Sequence, residues 1–161
     1  MKKGFLFVVF SLLLSGMAAL TGCSGEREYI DYRGLSMGLP AKVLIDSLQK
    51  QGLALDTNKY EDRYVLADTL KRNFTVAVYH HNDTITDILE NYRATYNDST
   101  SQLWQKLHDE FEKVFGWPNM PKRGDLHKEA FYENDKGTVL LTLLNTYSPT
   151  VTVRYSTETT K

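Results

Sequence analysis

Cysteine is almost absent from this chain. Cys23 is the only one in 161 residues, so no intrachain disulfide can form and no cluster of thiolates can hold zinc. A surplus of either charge is also missing. Nineteen basic residues face 20 acidic ones, with no basic stripe of the kind that tracks a phosphate backbone. There are only four prolines, no low-complexity tract, no G-x-S-x-G nucleophile elbow and no Gly-rich phosphate loop. The one long apolar stretch, residues 5–20, is broken by Ser11, Ser15 and Gly16. It falls short of the ~20 apolar residues that a membrane span needs. These absences predict no nucleic-acid partner, no metal site and no cofactor.

What is present at the N-terminus is ordered. Lys2 and Lys3 form a basic start, the apolar stretch follows, and Cys23 stands directly behind it. A charged start and an apolar middle are the marks of a secretory signal. Leu20-Thr21-Gly22-Cys23 resembles the bacterial lipobox, in which Leu, a small residue, Gly or Ala, and Cys stand in a row. The resemblance implies a diacylglyceryl group on the Cys23 sulfur, a cut between Gly22 and Cys23, and acylation of the new amino group. Two or three acyl chains would anchor the protein stably, since each buried CH₂ contributes about 0.8 kcal/mol. The alternatives are a plain signal peptide or an uncut anchor. Leu20 at the −3 position disfavours the first, and the short run disfavours the second. Ser24, rather than Asp, follows the cysteine, which in Gram-negative lipoproteins of this pattern leans toward the outer membrane.

Residues 1–22 are thus expected as signal, 23–33 as a lipidated tether with Tyr29 and Tyr32 able to dock, and 34–161 as one domain. Without the signal's two lysines, 19 − 2 = 17 basic residues remain against 20 acidic, a balance of −3. With Cys23 lipidated no free thiol remains, so thiolate catalysis is excluded. Cohesion must come from packing, for which ten Tyr, seven Phe and two Trp supply the material.

A first helix is expected from about Pro40, with Ala41, Leu44, Ile45 and Leu48 on one face and Gly52 as its stop. Strands are expected at 63–67, 74–80 and 84–92. His81-Asn82-Asp83 supplies turn chemistry, and Asp87 marks a break in alternation that a bulge would explain. Ser99 and Gln102 form a capping-box pattern for a second helix along Leu103, Leu107, Phe111, Val114 and Phe115, ended by Gly116. Residues 119–126 read as a loop, and 127–132, 138–144 and 150–155 as strands. The expected fold is α+β: two amphipathic helices on an antiparallel sheet, with a tandem helix–three-strand repeat.

Gly34-Leu35-Ser36-Met37-Gly38-Leu39-Pro40-Ala41-Lys42-Val43 and Phe115-Gly116-Trp117-Pro118 resemble segments of the SmpA/BamE-like outer-membrane lipoproteins and their relatives with the β-lactamase-inhibitor-protein fold. These segments, residues 34–43 and 115–118, cover about a tenth of the chain behind the leader. Those families pair a helix with antiparallel strands, sometimes in tandem, and act by binding proteins. The chain as a whole also resembles uncharacterised lipoproteins of Bacteroides-type bacteria.

Individual side chains offer less. His80 and His81, as strand neighbours, point to opposite faces and do not converge with Asp83 on one ion. His108-Asp109-Glu110 is expected on a solvated helix face, and His127 at a strand start. Trp104, Trp117, Tyr132 and Tyr147 are expected in core or edge packing. Trp117, with Pro118 and Met120, is the first interface candidate if its ring is exposed. Asp68-Thr69-Leu70 and Asp98-Ser99-Thr100 resemble the O-glycosylation acceptor pattern of Bacteroides-type bacteria, as does Asp46-Ser47-Leu48 within a helix. The functional expectation is a lipid-anchored envelope protein, held to the membrane through Cys23, whose domain binds an envelope protein or other component. The alternatives are an accessory lipoprotein for a glycan or small ligand, and an enzyme whose site is dispersed along the chain.

Overall fold

The computed structural model describes residues 27–68 and 73–159. The leader, Gly22, Cys23 and residues 69–70 of one acceptor pattern lie outside them. The elements are β1 (Asp31–Tyr32), β2 (Leu35–Ser36), α1 (Ala41–Lys50), β3 (Leu53–Leu55), β4 (Arg63–Asp68), β5 (Phe74–His81), β6 (Thr84–Arg93), α2 (Asn97–Phe115), β7 (Asn119–Arg123), β8 (His127–Asn134), β9 (Gly137–Leu144) and β10 (Thr150–Ser156). Strands β3 to β10 form one antiparallel sheet in the order β3-β4-β5-β6-β10-β9-β8-β7. The two helices pack against it, so the class is α+β as the periodicities predict. Each half is a helix followed by a four-strand meander, and the order is symmetric about the central β6–β10 pair. The expected three strands per half are corrected to four. The added ones, β3 and β7, follow directly on the glycine-terminated helices.

The helix-facing side of the sheet is the core. Val76 and Val78 of β5, Ile88 of β6, Val151 and Val153 of β10, Leu141 and Leu143 of β9, and Ala130 of β8 are all fully buried there. Their two-residue alternation puts them on one face. On β6 the alternation is broken, as Asp87 predicts. Pairing runs Tyr79↔Asp87 and then His80↔Ile85, leaving Thr86 as an extra residue. That bulge lets Ile85 and Ile88 both face inward.

α1 buries Ala41, Leu44, Ile45 and Leu48, the expected stripe. Pro40 is its N-cap and donates nothing to it. The hairpin turn of β5 and β6 does the capping: the Ala41 N–H donates to the Asp83 carbonyl at 2.8 Å, and the Lys42 N–H to Asp83 Oδ1 at 3.2 Å. Asn82 and Asp83 both have positive φ, 50° and 64°, as a two-residue I′ turn requires. α2 begins at Asn97, earlier than expected, and Ser99 and Gln102 form no capping box. Its N-cap, Tyr96, makes no side-chain cap bond. Buried Asn145, from the β9–β10 loop, holds the first turn instead, meeting Thr100 Oγ1 at 2.7 Å and Ser101 Oγ at 3.0 Å. Val114 is exposed rather than part of the buried stripe, because Thr100, Trp104, Leu107, Phe111 and Phe115 form the inward face. Residues 119–126, expected as a loop, contain the edge strand β7, which pairs with β8.

The segment expected as a tether enters the core. Ile30 and Tyr32 are buried, and the β1–β2 hairpin lies against the centre of the sheet. Glu90 of β6, itself only 3% exposed, binds it. Its Oε1 accepts from the Tyr32 hydroxyl at 2.8 Å and from Arg33 Nη2 at 3.2 Å, and its Oε2 accepts from the Tyr92 hydroxyl at 3.0 Å. Burial, then the Glu90 charge, push both tyrosines well above the ordinary phenol range, so they remain donors. Further out, Arg27 donates to the Thr157 carbonyl and Lys136 pairs with Glu28 at 2.6 Å. Residue 27, four positions after Cys23, is thus fixed beside the end of β10.

Candidate functional site

The most developed concave feature involving the expected residues lies at the β7 edge, between α2 and the end of the sheet. It is a groove of about 420 Å³. α2 supplies Trp104, Gln105 and His108 to it. Gly116, with φ at 82°, stops the helix and turns the chain, placing Trp117 and Pro118 on the rim. Met120 and Arg123 of β7 and Lys128 of β8 complete it.

The two tryptophans divide the work. Trp104 is 3% exposed and stacks on His108 with ring centroids 4.9 Å apart. Trp117, expected in core or edge packing, is instead 89% exposed, because the helix stop at Gly116 turns it off the inward face of α2. Lys128 Nζ lies over the Trp104 ring, 5.5 Å from its centroid, a cation–π arrangement. The indole N–H of Trp104 is buried with no partner among the described residues. Such an orphan donor is uncommon and costs about 1–3 kcal/mol. No carboxylate lines the groove, and neither Lys128 nor Arg123 forms an ion pair among the described residues. In a protein of near-neutral balance, this is a locally cationic, aromatic surface.

His108 corrects the expectation of a solvated face. One turn after Trp104, its ring is drawn inward, and the Tyr132 hydroxyl lies 2.5 Å from its Nδ1 while donating to its carbonyl at 3.2 Å. Burial, with Glu112 and Asp109 nearby, raises the Tyr132 pKa. Asp109 and Glu110 are exposed. Tyr132 is buried in the core, while Tyr147 is fully exposed rather than packed.

The other histidines do not converge. His80 stacks on Tyr64 with centroids 4.9 Å apart, His81 contacts Asn82, and Asp83 serves as the α1 cap. His127 Nε2 meets Glu129 Oε1 at 2.7 Å on β8. No group of three or more His, Cys, Asp or Glu side chains is placed to hold a metal among the described residues. Of the acceptor patterns, Ser99 is exposed at the start of α2, Thr100 is buried, and the Ser47 hydroxyl donates to the Val43 carbonyl. No helix among the described residues is long and apolar enough to cross a membrane.

Trp117, Pro118 and Met120 stand together in the sequence; their joining with Trp104, Arg123 and Lys128 was not legible there. Lys122 and Arg123, in a stretch with Pro121, read as loop polarity. The one available signal was the glycine–Trp–Pro sequence at the helix stop. Comparison of the chain with protein-family models, with curated proteins and with solved structures finds no match.

Proposed function

We propose that this is a lipid-anchored cell-envelope protein whose folded domain binds a partner protein or another envelope component. The leader pattern ending in Gly22 and Cys23 supports the anchoring. The observation that carries the binding reading is the groove, lined by exposed Trp117 and buried Trp104 together with Arg123 and Lys128, two cations with no ion pair among the described residues. Exposed aromatics with nearby arginine or lysine are the residues that dominate recognition surfaces. The fixing of residues 27–33 to the sheet fits the same reading, because it would hold the domain close to an anchored Cys23. The accessory-lipoprotein alternative, binding a glycan or small ligand, is favoured by the same pair of tryptophans lining one concavity.

The test is mild crosslinking of the tagged full-length protein in native membranes, beside Cys23→Ala and Trp117→Ala. The reading expects Cys23→Ala to leave the membrane fraction. It also expects a component captured by the wild type to be lost with Trp117→Ala. Equal capture by wild type and Trp117→Ala would remove the groove from the reading.

A further inference from the structure

We infer that the groove between α2 and β7 takes a carboxylate-bearing sugar, a hexuronate unit of an acidic polysaccharide. The inference rests on the reading that the domain binds an envelope component, and it names that component's chemistry. Three features carry it. First, the indole face of Trp117 is open to solvent beside Pro118, a flat apolar surface of the size of a pyranose ring. Sugars present C–H faces that lie on such rings, leaving their polar edges free. Second, Arg123 and Lys128 flank the floor without an ion pair among the described residues, and no acid lines the groove. A bound carboxylate would supply that missing negative charge through charge-assisted hydrogen bonds. Third, the buried Trp104 ring gives the groove an aromatic floor beside the cations. Lys128 Nζ, over the Trp104 ring face, is placed to bridge the floor to a bound carboxylate.

An acidic peptide offers the same charge but fits the site less well. A peptide would be expected to add a strand to the free edge of β7. That edge carries Pro121, which has no N–H, and the exposed cations Lys122 and Arg123. Its register is also broken between Asn119 and Lys122. Proline, charge and irregularity are the devices that keep edge strands from pairing.

The chain has two tryptophans, and both line this groove, so tryptophan emission, excited on the red side of the absorption of the ten tyrosines, reports on the site. The experiment titrates the full chain, in detergent, with tetragalacturonate, with neutral maltotetraose and with polyglutamate. The expected result is a saturable emission change with tetragalacturonate only. Lys128→Gln and Arg123→Gln should each weaken it about tenfold, the loss of one hydrogen bond to a charged group. Arg123 is exposed, so its variant folds even if Lys128→Gln disturbs Trp104. No response to tetragalacturonate, an equal response to maltotetraose, or binding of polyglutamate as tight as that of the sugar acid would each overturn the inference. If tetragalacturonate fails while membrane capture still depends on Trp117, the sugar chemistry falls and the binding reading stands. If both fail, both fall.

Discussion

Removing the Glu90 carboxylate tests how the N-terminal segment is held. Glu90 is almost fully buried, and three donors converge on it: Tyr32, Arg33 and Tyr92. Glu90→Ala strands two phenol hydroxyls and a half-buried guanidinium at once. Breaking a buried charged network by deleting one partner costs about 3–5 kcal/mol. Arg33 keeps about a third of its side chain in water, which screens part of that cost. The expectation is therefore a loss of about 3 kcal/mol, or a fall in Tm of about 10 °C for a domain of this size. Tyr32→Phe removes one hydrogen bond to a charged acceptor and should cost about 1.5–3 kcal/mol. The assay is urea unfolding of the four proteins of a double-mutant cycle at positions 32 and 90. The cycle should give a coupling of at least 1 kcal/mol. Hydrogen exchange at Tyr32 and at Met37, whose N–H donates to the Ile30 carbonyl, should also rise in Glu90→Ala before the sheet opens. A Glu90→Ala variant within about 0.5 kcal/mol of wild type, or a coupling near zero, would refute the clasp.

Four other outcomes follow from the same geometry. Gly137→Ala should destabilise by about 2–3 kcal/mol in urea unfolding: φ is 152°, and a Cβ would lie 2.3 Å from the Ser156 carbonyl oxygen and 2.9 Å from Ile30 Cδ1. Asp83→Ala should cost about 1 kcal/mol and speed exchange in the first turn of α1, while Asp83→Asn, which keeps both the acceptor and the tolerance of positive φ, should be near neutral. Because the Tyr32 pKa is raised in the folded state, its contribution is full below pH ~10 and declines above it. Tyr92, Tyr132 and Tyr155 are raised as well, so Tyr32→Phe should reduce, not abolish, the fall in stability over pH 10–12, by about 1.4 kcal/mol per pH unit. Trp117→Ala should leave unfolding unchanged within about 0.5 kcal/mol, whereas Trp104→Ala should cost about 3–5 kcal/mol.

The fold was legible where periodicity and turn chemistry agreed. The α1 stripe, the Asn82-Asp83 turn and the alternation along β10 each require one arrangement of the local backbone. β3 and β7 were missed for physical reasons. Three residues are too few to show alternation, and Pro121, Lys122 and Arg123 have the composition of a loop even though the edge of a sheet accommodates them. Ser99 was chosen as a cap on local pattern, but a residue far along the chain, Asn145, took that role. His108 was placed in solvent by helix geometry, and the Trp104 ring and the Tyr132 hydroxyl drew it inward. Glu90 did leave a signal: it stands at an inward position between Ile88 and Tyr92, where a charge requires partners. Those partners, Tyr32 and Arg33, lie nearly 60 residues away, and only the fold joins them. The groove was half legible, since Trp117, Pro118 and Met120 fall within four residues in sequence while Trp104 and Lys128 reach it from two other elements.

The central claim is that the domain meets an envelope component at the Trp117 rim of this groove. The most direct measurement places a photo-crosslinking amino acid at position 105, exposed and lining the groove, in the full-length protein in native membranes, so that both tryptophans are kept. The same group at position 147, exposed on the β9–β10 loop, is the control. The account predicts a discrete adduct from position 105, absent from position 147 and lost with Trp117→Ala. Adducts of equal yield and identity from both positions, or none from position 105, would contradict it.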